Sequence, residues 1–128
     1  MTPLTKKLRL KAGMRARFIN PPPGYVELVG ELPTGVVEAA MELDFVQLFA
    51  KDGAELAALW PEAHKAIKYD GMLWICYPKK SSGIGSDLNR DAGWKPVTES
   101  GLRPVAGVSI DATWTALRFR PVEAVKTK

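Results

Sequence analysis

The sequence predicts an α/β fold, a sheet of about five strands with a parallel core and an antiparallel C-terminal hairpin, and three features carry that expectation. Two runs, Phe45-Val46-Gln47-Leu48-Phe49-Ala50 and Met72-Leu73-Trp74-Ile75-Cys76-Tyr77, are too uniformly apolar for strands with one wet face. Such strands lie in parallel sheets covered on both sides. Between them Leu56, Leu59, Trp60, Ala63 and Ile67 recur at helical spacing, so residues 45–77 read as a βαβ unit with a right-handed crossover. Near the end, 105–110 and 114–119 are strand-like and joined by Asp111-Ala112-Thr113, a hairpin-length connection. A chain of 128 residues supports a single core and a single domain, burying about 70% of the surface it exposes when unfolded.

Taken in order, residues 1–12 are a basic lead expected to be flexible, ended by Gly13. Residues 14–19 form the first strand, stopped by Asn20-Pro21-Pro22-Pro23-Gly24, because three prolines cannot continue a ladder or a helix. Residues 25–32 carry Val26, Val29 and Leu28 or Leu32 at helical spacing, closed by Pro33-Thr34-Gly35. Residues 36–43 fit two descriptions: Val37, Ala39, Met41 and Leu43 alternate as in an edge strand, yet 38–43 is also good helix-forming material. Asp52, with Glu55 three residues on, is the expected N-cap of the crossover helix; Pro61 is expected to kink it and Asp70-Gly71 to end it. After Tyr77 a polar loop leads into an expected helix over 88–100, weakened by Gly93 and Pro96. Arg118 and Arg120 alternate with Leu117 and Phe119, giving the last strand one polar face, and the tail 123–128 is expected to fray.

Composition narrows the chemistry. One Cys excludes an intramolecular disulfide framework and, with one His, leaves too few ligands for the usual metal sites, so no metal is expected. Residues 1–17 are basic but have no apolar h-region, so no secretory signal is expected, and no segment is long and apolar enough for a membrane span; cytoplasmic residence is the simplest expectation. The net charge of +4 conceals a pattern of +6 over 1–24, −6 over 25–70 and +4 over 71–128. A fold that brings the two ends together makes a basic face beside an acidic one. No nucleic-acid recognition motif accompanies the basic start, and nucleic acid is not expected as a partner.

Two resemblances follow from these residues. Ile67-Lys68-Tyr69-Asp70-Gly71-Met72-Leu73-Trp74, the lead Leu10-Lys11-Ala12-Gly13-Met14-Arg15 and the element order resemble a shortened Rossmann-like methyltransferase domain, which implies a two-layer or three-layer sheet of that kind. More closely, residues 20–25, 77–83, 87–91 and 110–114 resemble a family of small bacterial proteins known only as a domain of unknown function, which implies a fold and no activity. The methyltransferase pattern needs a glycine-rich turn after the first strand to admit its cofactor. Here Asn20-Pro21-Pro22-Pro23-Gly24 removes three donors and fills the space with rings, so no cofactor is predicted and methyl transfer from S-adenosylmethionine is not expected.

Ligands of open α/β sheets gather at the carboxyl ends of the parallel strands. Segments 20–25, 51–52, 79–87 and 111–114 are expected there, which makes Asn20, Gly24, Tyr25, Asp111 and Trp114 edge candidates. Lys79, Lys80, Ser81, Ser82, Gly83, Ser86, Asp87 and Arg90 combine cations, hydroxyls, glycine and an expected helix start, a combination suited to an anion. The plainer description is a loop capped by Ser86 or Asp87. Asp87, Arg90, Asp91 and Asp111 can form ion pairs or supply a general base; His64 is expected on a solvated face and Cys76 as a buried, inert thiol. The expectation is a non-catalytic binding or interaction module for an anionic small molecule or protein partner, the alternative a small enzyme of unknown reaction using carboxylates at the same edge. With all crossovers on one face, the other face needs a cover, and a homodimer would supply it.

Overall fold

A computed structural model describes residues 4–89 and 92–125. It is an α/β structure with one mixed six-stranded sheet of order β2-β1-β3-β4-β6-β5. The strands are β1 (Arg15–Ile19), β2 (Val37–Glu38), β3 (Leu43–Phe49), β4 (Ile67–Pro78), β5 (Leu102–Ser109) and β6 (Trp114–Pro121). β2, β1, β3 and β4 are mutually parallel, and β6 runs antiparallel to both β4 and β5. The ambiguous 36–43 segment thus contributes a two-residue edge strand, with Val37 beside Arg15.

The apolar runs behave as their composition dictates. Along β3, Val46 and Leu48 face one core and Phe45 and Phe49 the other, and along β4 Leu73 and Ile75 oppose Trp74 and Cys76. The first core is covered by α3 (Gly53–Ala66), which buries Leu56, Trp60, Ala63 and Ala66. Asp52 caps that helix by accepting the Glu55 amide at 2.9 Å. Pro61 removes one intrahelical donor but does not end the helix.

Four expectations are corrected. α3 ends at Ala66, earlier than Asp70-Gly71, because β-branched Ile67 turns extended and pairs with Leu43. Residues 68–71 then form a bulge in β4, with Asp70 at φ 57; a Cβ on Gly71 would lie 2.7 Å from Ile67 Cγ1. The helix beginning at Tyr25 is only α2 (Tyr25–Val29), stopped by Gly30 at φ 75. The helix over 88–100 reduces, among the described residues, to α4 (Lys95–Thr98): Gly93 stands at φ 97 with Leu88 Cδ2 2.5 Å from where its Cβ would be, and Asn89 and Ala92 form an isolated antiparallel bridge.

The fourth correction concerns the lead and the second face. Residues 4–7 form α1 (Leu4–Lys7), and Leu8 and Leu10 are buried in the second core with Tyr25, Phe45, Trp74 and Cys76. The Trp74 indole N–H donates to the Leu8 carbonyl at 2.8 Å, which pins the lead to the sheet centre. Leu8 and Leu10 alternate with Lys7, Arg9 and Lys11, so the segment offers apolar side chains inward and cations outward. The second face has its own cover, and the argument for a homodimer loses its premise. At the other end α5 (Val122–Val125) is helical where fraying was expected; residues 126–128 lie outside the described residues.

Candidate functional site

The carboxyl edge of the sheet is assembled by polar side chains that tie one strand end to the next. Asn20, at φ 59 just after β1, donates from Nδ2 to the Phe49 carbonyl at the end of β3. Lys79 follows β4; its amide donates to Thr113 O and its Nζ to Ser109 Oγ at 2.7 Å, joining β4 to the β5–β6 turn. Asp87 accepts the Gly53 amide at 2.7 Å and so closes loop 79–87 onto the amino end of α3. Segments 20–25, 51–53, 79–87 and 109–114 therefore meet along one edge.

Within the loop most polar groups serve the loop itself. Lys80–Ser82 is a single 3-10 turn ended by Gly83 at φ 84. Ser82 Oγ donates to the Lys79 carbonyl and accepts the Ile84 amide, and Ser86 Oγ accepts the Leu88 amide. Because no helix starts at 87–88, the dipole expected to assist anion binding there is missing; Gly93 at φ 97 and the bridge between Asn89 and Ala92 are not helical. Ser81 and Lys80 are exposed, and Arg90 and Asp91 lie outside the described residues. Beside the loop is an open groove of about 450 Å³ lined by Tyr77, Lys79, Lys80, Leu88, Asn89 and Thr115. Its floor is aromatic and aliphatic, and cations stand on its rim.

The edge carboxylates are engaged structurally. One oxygen of Asp111 accepts the amides of Thr113 and Trp114 and shapes the hairpin turn. Asp87 supplements the cap of α3, whose own N-cap is Asp52. Trp114 is half-buried and meets Phe49 edge to face at 5.3 Å, so its ring joins the second core. His64 is exposed but stacks on Trp60, ring centres 5.1 Å apart.

Gly24, at φ 83, delivers Tyr25 into the second core. Its hydroxyl donates to Gln47 Oε1 at 2.6 Å, and Gln47 Nε2 donates to Cys76 Sγ at 3.2 Å. Burial first, then the neighbouring Cys76, raises the Tyr25 pKa above that of an ordinary phenol. Burial likewise pushes the Cys76 thiol up to about 12, which keeps it protonated and un-nucleophilic. Above this chain a small apolar cavity of about 150 Å³ lies between α2 and β1, lined by Phe18, Pro21, Tyr25, Val29 and Leu32 among others. Pro21, the first proline of the proline turn, supplies part of its wall. The signal for the chain was Gln47, the polar residue inside the 45–50 run.

Sequence pattern also leaves one cation cluster unassigned. Arg120 grips Asp70 with Nε and Nη2, at 2.9 and 2.8 Å, and holds that carboxyl below the usual carboxylate range. Arg118 lies on the same face of β6, and its Nε is buried without a hydrogen-bond partner. The described residues contain no group of His, Cys, Asp and Glu able to hold a metal ion and no helix long and apolar enough to cross a membrane. The chain matches no protein-family model and no curated protein sequence.

Proposed function

We propose that the protein is a non-catalytic binding module on a Rossmann-like, methyltransferase-like scaffold, and that its groove at 77–80, 88–89 and 115 takes an anionic small molecule. The strand order β2-β1-β3-β4-β6-β5, with β6 alone reversed, supports the scaffold. The observation that carries the binding reading is the groove itself: an apolar floor with Lys80 exposed on its rim, at the sheet edge where α/β folds place ligands. One oxygen of Asp87 and one of Asp111 are committed to helix capping and turn formation, a structural use that favours binding over the enzyme alternative. Membership of the small bacterial family and cytoplasmic residence belong to the same reading.

The test is a thermal-shift screen of nucleotides, S-adenosyl compounds and phosphorylated metabolites, repeated on the Lys79→Ala/Lys80→Ala double variant. A ligand at one hundred times its dissociation constant stabilises by about 2.7 kcal/mol. The reading expects at least one anionic compound to stabilise the parent and to lose that effect in the variant. Equal shifts in both proteins would remove the groove from consideration.

A further inference from the structure

Arg118 occupies a costly position. Its register partners are Trp74 on β4 and Ala106 on β5, so its stem crosses the second face beside the indole that anchors the lead. Its Nε is shut off from solvent with no acceptor among the described residues, and a buried donor without a partner is destabilising. The charges that act on it are Arg120, Arg9 and Asp70, and Asp70 is already held in the Arg120 fork. Among the described residues Asp70 is thus the one carboxylate acting on Arg118, and with Asp70 answered by Arg120 the pair Arg9 and Arg118 has no opposite charge of its own there.

Arg9 is placed there at a further cost. α1 closes with the Leu10 amide on Thr5 O and the Arg9 amide on Lys6 O, the paired bonds of a Schellman ending. The residue after the cap must then be left-handed, and Arg9 stands at φ 62 where glycine is favoured. Its side chain is exposed and has no ion pair among the described residues. Neither Arg9 nor Arg118 has a hydrogen-bond or ion-pair partner for its guanidinium among the described residues.

We infer that Arg9 and Arg118, with Arg120 behind them, form a second anion site, separate from the carboxyl-edge groove, for the phosphate of a small soluble phosphomonoester. Such a group carries a charge of about −1.5 to −2 at neutral pH, which matches the unbalanced pair. Its oxygens would give the Arg118 Nε an acceptor, and planar guanidinium forks suit a tetrahedral oxyanion. This site stands whether or not the groove binds a ligand.

Inorganic phosphate is the probe. Its stabilisation of the protein, followed by thermal unfolding in a phosphate-free buffer against sodium chloride of matched ionic strength, is compared in the parent, Arg118→Met, Arg9→Gly and Lys79→Ala/Lys80→Ala. The parent should show saturable stabilisation by phosphate beyond that of chloride. Without phosphate, Arg118→Met and Arg9→Gly should unfold at or above the parent temperature, since one removes an unsatisfied donor and the other relieves a left-handed arginine. Both should bind phosphate roughly tenfold or more weakly, while the lysine variant keeps parental affinity at this site. A parent that does not respond, or arginine variants that respond like the parent, would overturn the inference. So would arginine variants less stable than the parent without phosphate, which would make the cluster structural. Binding of a single-stranded oligonucleotide, lost in the arginine variants while phosphate fails to saturate, would overturn it in favour of a polyanion surface.

Discussion

Gln47 shows how much depends on one side chain in this sheet. It is fully buried in β3, and its amide is satisfied only because Tyr25 donates to it and Cys76 accepts from it. Replacing it by leucine strands the Tyr25 hydroxyl, and leaving a buried donor unpaired costs about 1–3 kcal/mol. The urea midpoint of Gln47→Leu should fall accordingly, and adding Tyr25→Phe should restore part of the loss; a single variant as stable as the parent would contradict the chain. Two carboxylates contribute to the acid dependence of stability. The Arg120 fork holds Asp70 below the usual range, and the Arg15 amide and then Lys68 do the same for Asp44. Carboxyls with folded pKa values below their unfolded ones stabilise fully above the unfolded value and lose that contribution as pH falls through the folded one. Stability should therefore drop on acidification below about pH 4, and Asp70→Asn should flatten that drop in denaturation curves taken across the range.

At the scale of elements, the sequence was most legible where both faces of a strand are buried. The 45–49 stretch of β3 and the 72–77 stretch of β4 announce themselves because every position is apolar or nearly so, and α3 because Asp52 and its stripe agree on one helix. Segment 88–100 misled because its polar residues fit a helix while one glycine decides against it. Gly93 is left-handed and a Cβ there would meet Leu88 Cδ2 at 2.5 Å, so Gly93→Ala should cost about 1 kcal/mol or more and shift the unfolding temperature down. The lead misled for the opposite reason: its charges mask Leu8 and Leu10, whose alternation is that of a docked segment. Leu8→Ala should cost about 2–5 kcal/mol and change the environment of Trp74, visible in tryptophan emission. A lead that was loose would leave both measurements unchanged.

Over the whole molecule, docking the lead answers a question that charge arithmetic raises. The lead brings two of its cations to the basic C-terminal strands: Lys7 reaches the Ser109 carbonyl at 3.2 Å, and Arg9 acts on Arg118, whereas Arg15 and Arg17 of β1 are held by the Glu42 and Met41 carbonyls and by Glu62. Part of the excess positive charge is therefore brought beside β5 and β6, because Trp74 and the second core require the lead to lie there. The edge segments were legible because strand direction alone sends them to one end; the purposes of their polar groups were not, because capping and turn bonds depend on partners distant in sequence. Asp87 reaches Gly53 and Lys79 reaches Ser109 only after the sheet has formed. What these bonds leave at the edge is a groove with Lys80 on its rim, and binding there is the central claim. An amide-resolved NMR titration of the parent with the best anionic compound from the screen tests it most directly. The account predicts saturable shifts centred on Lys79, Lys80, Leu88, Asn89 and Thr115, and a titration that leaves those amides unmoved while the compound binds would contradict it.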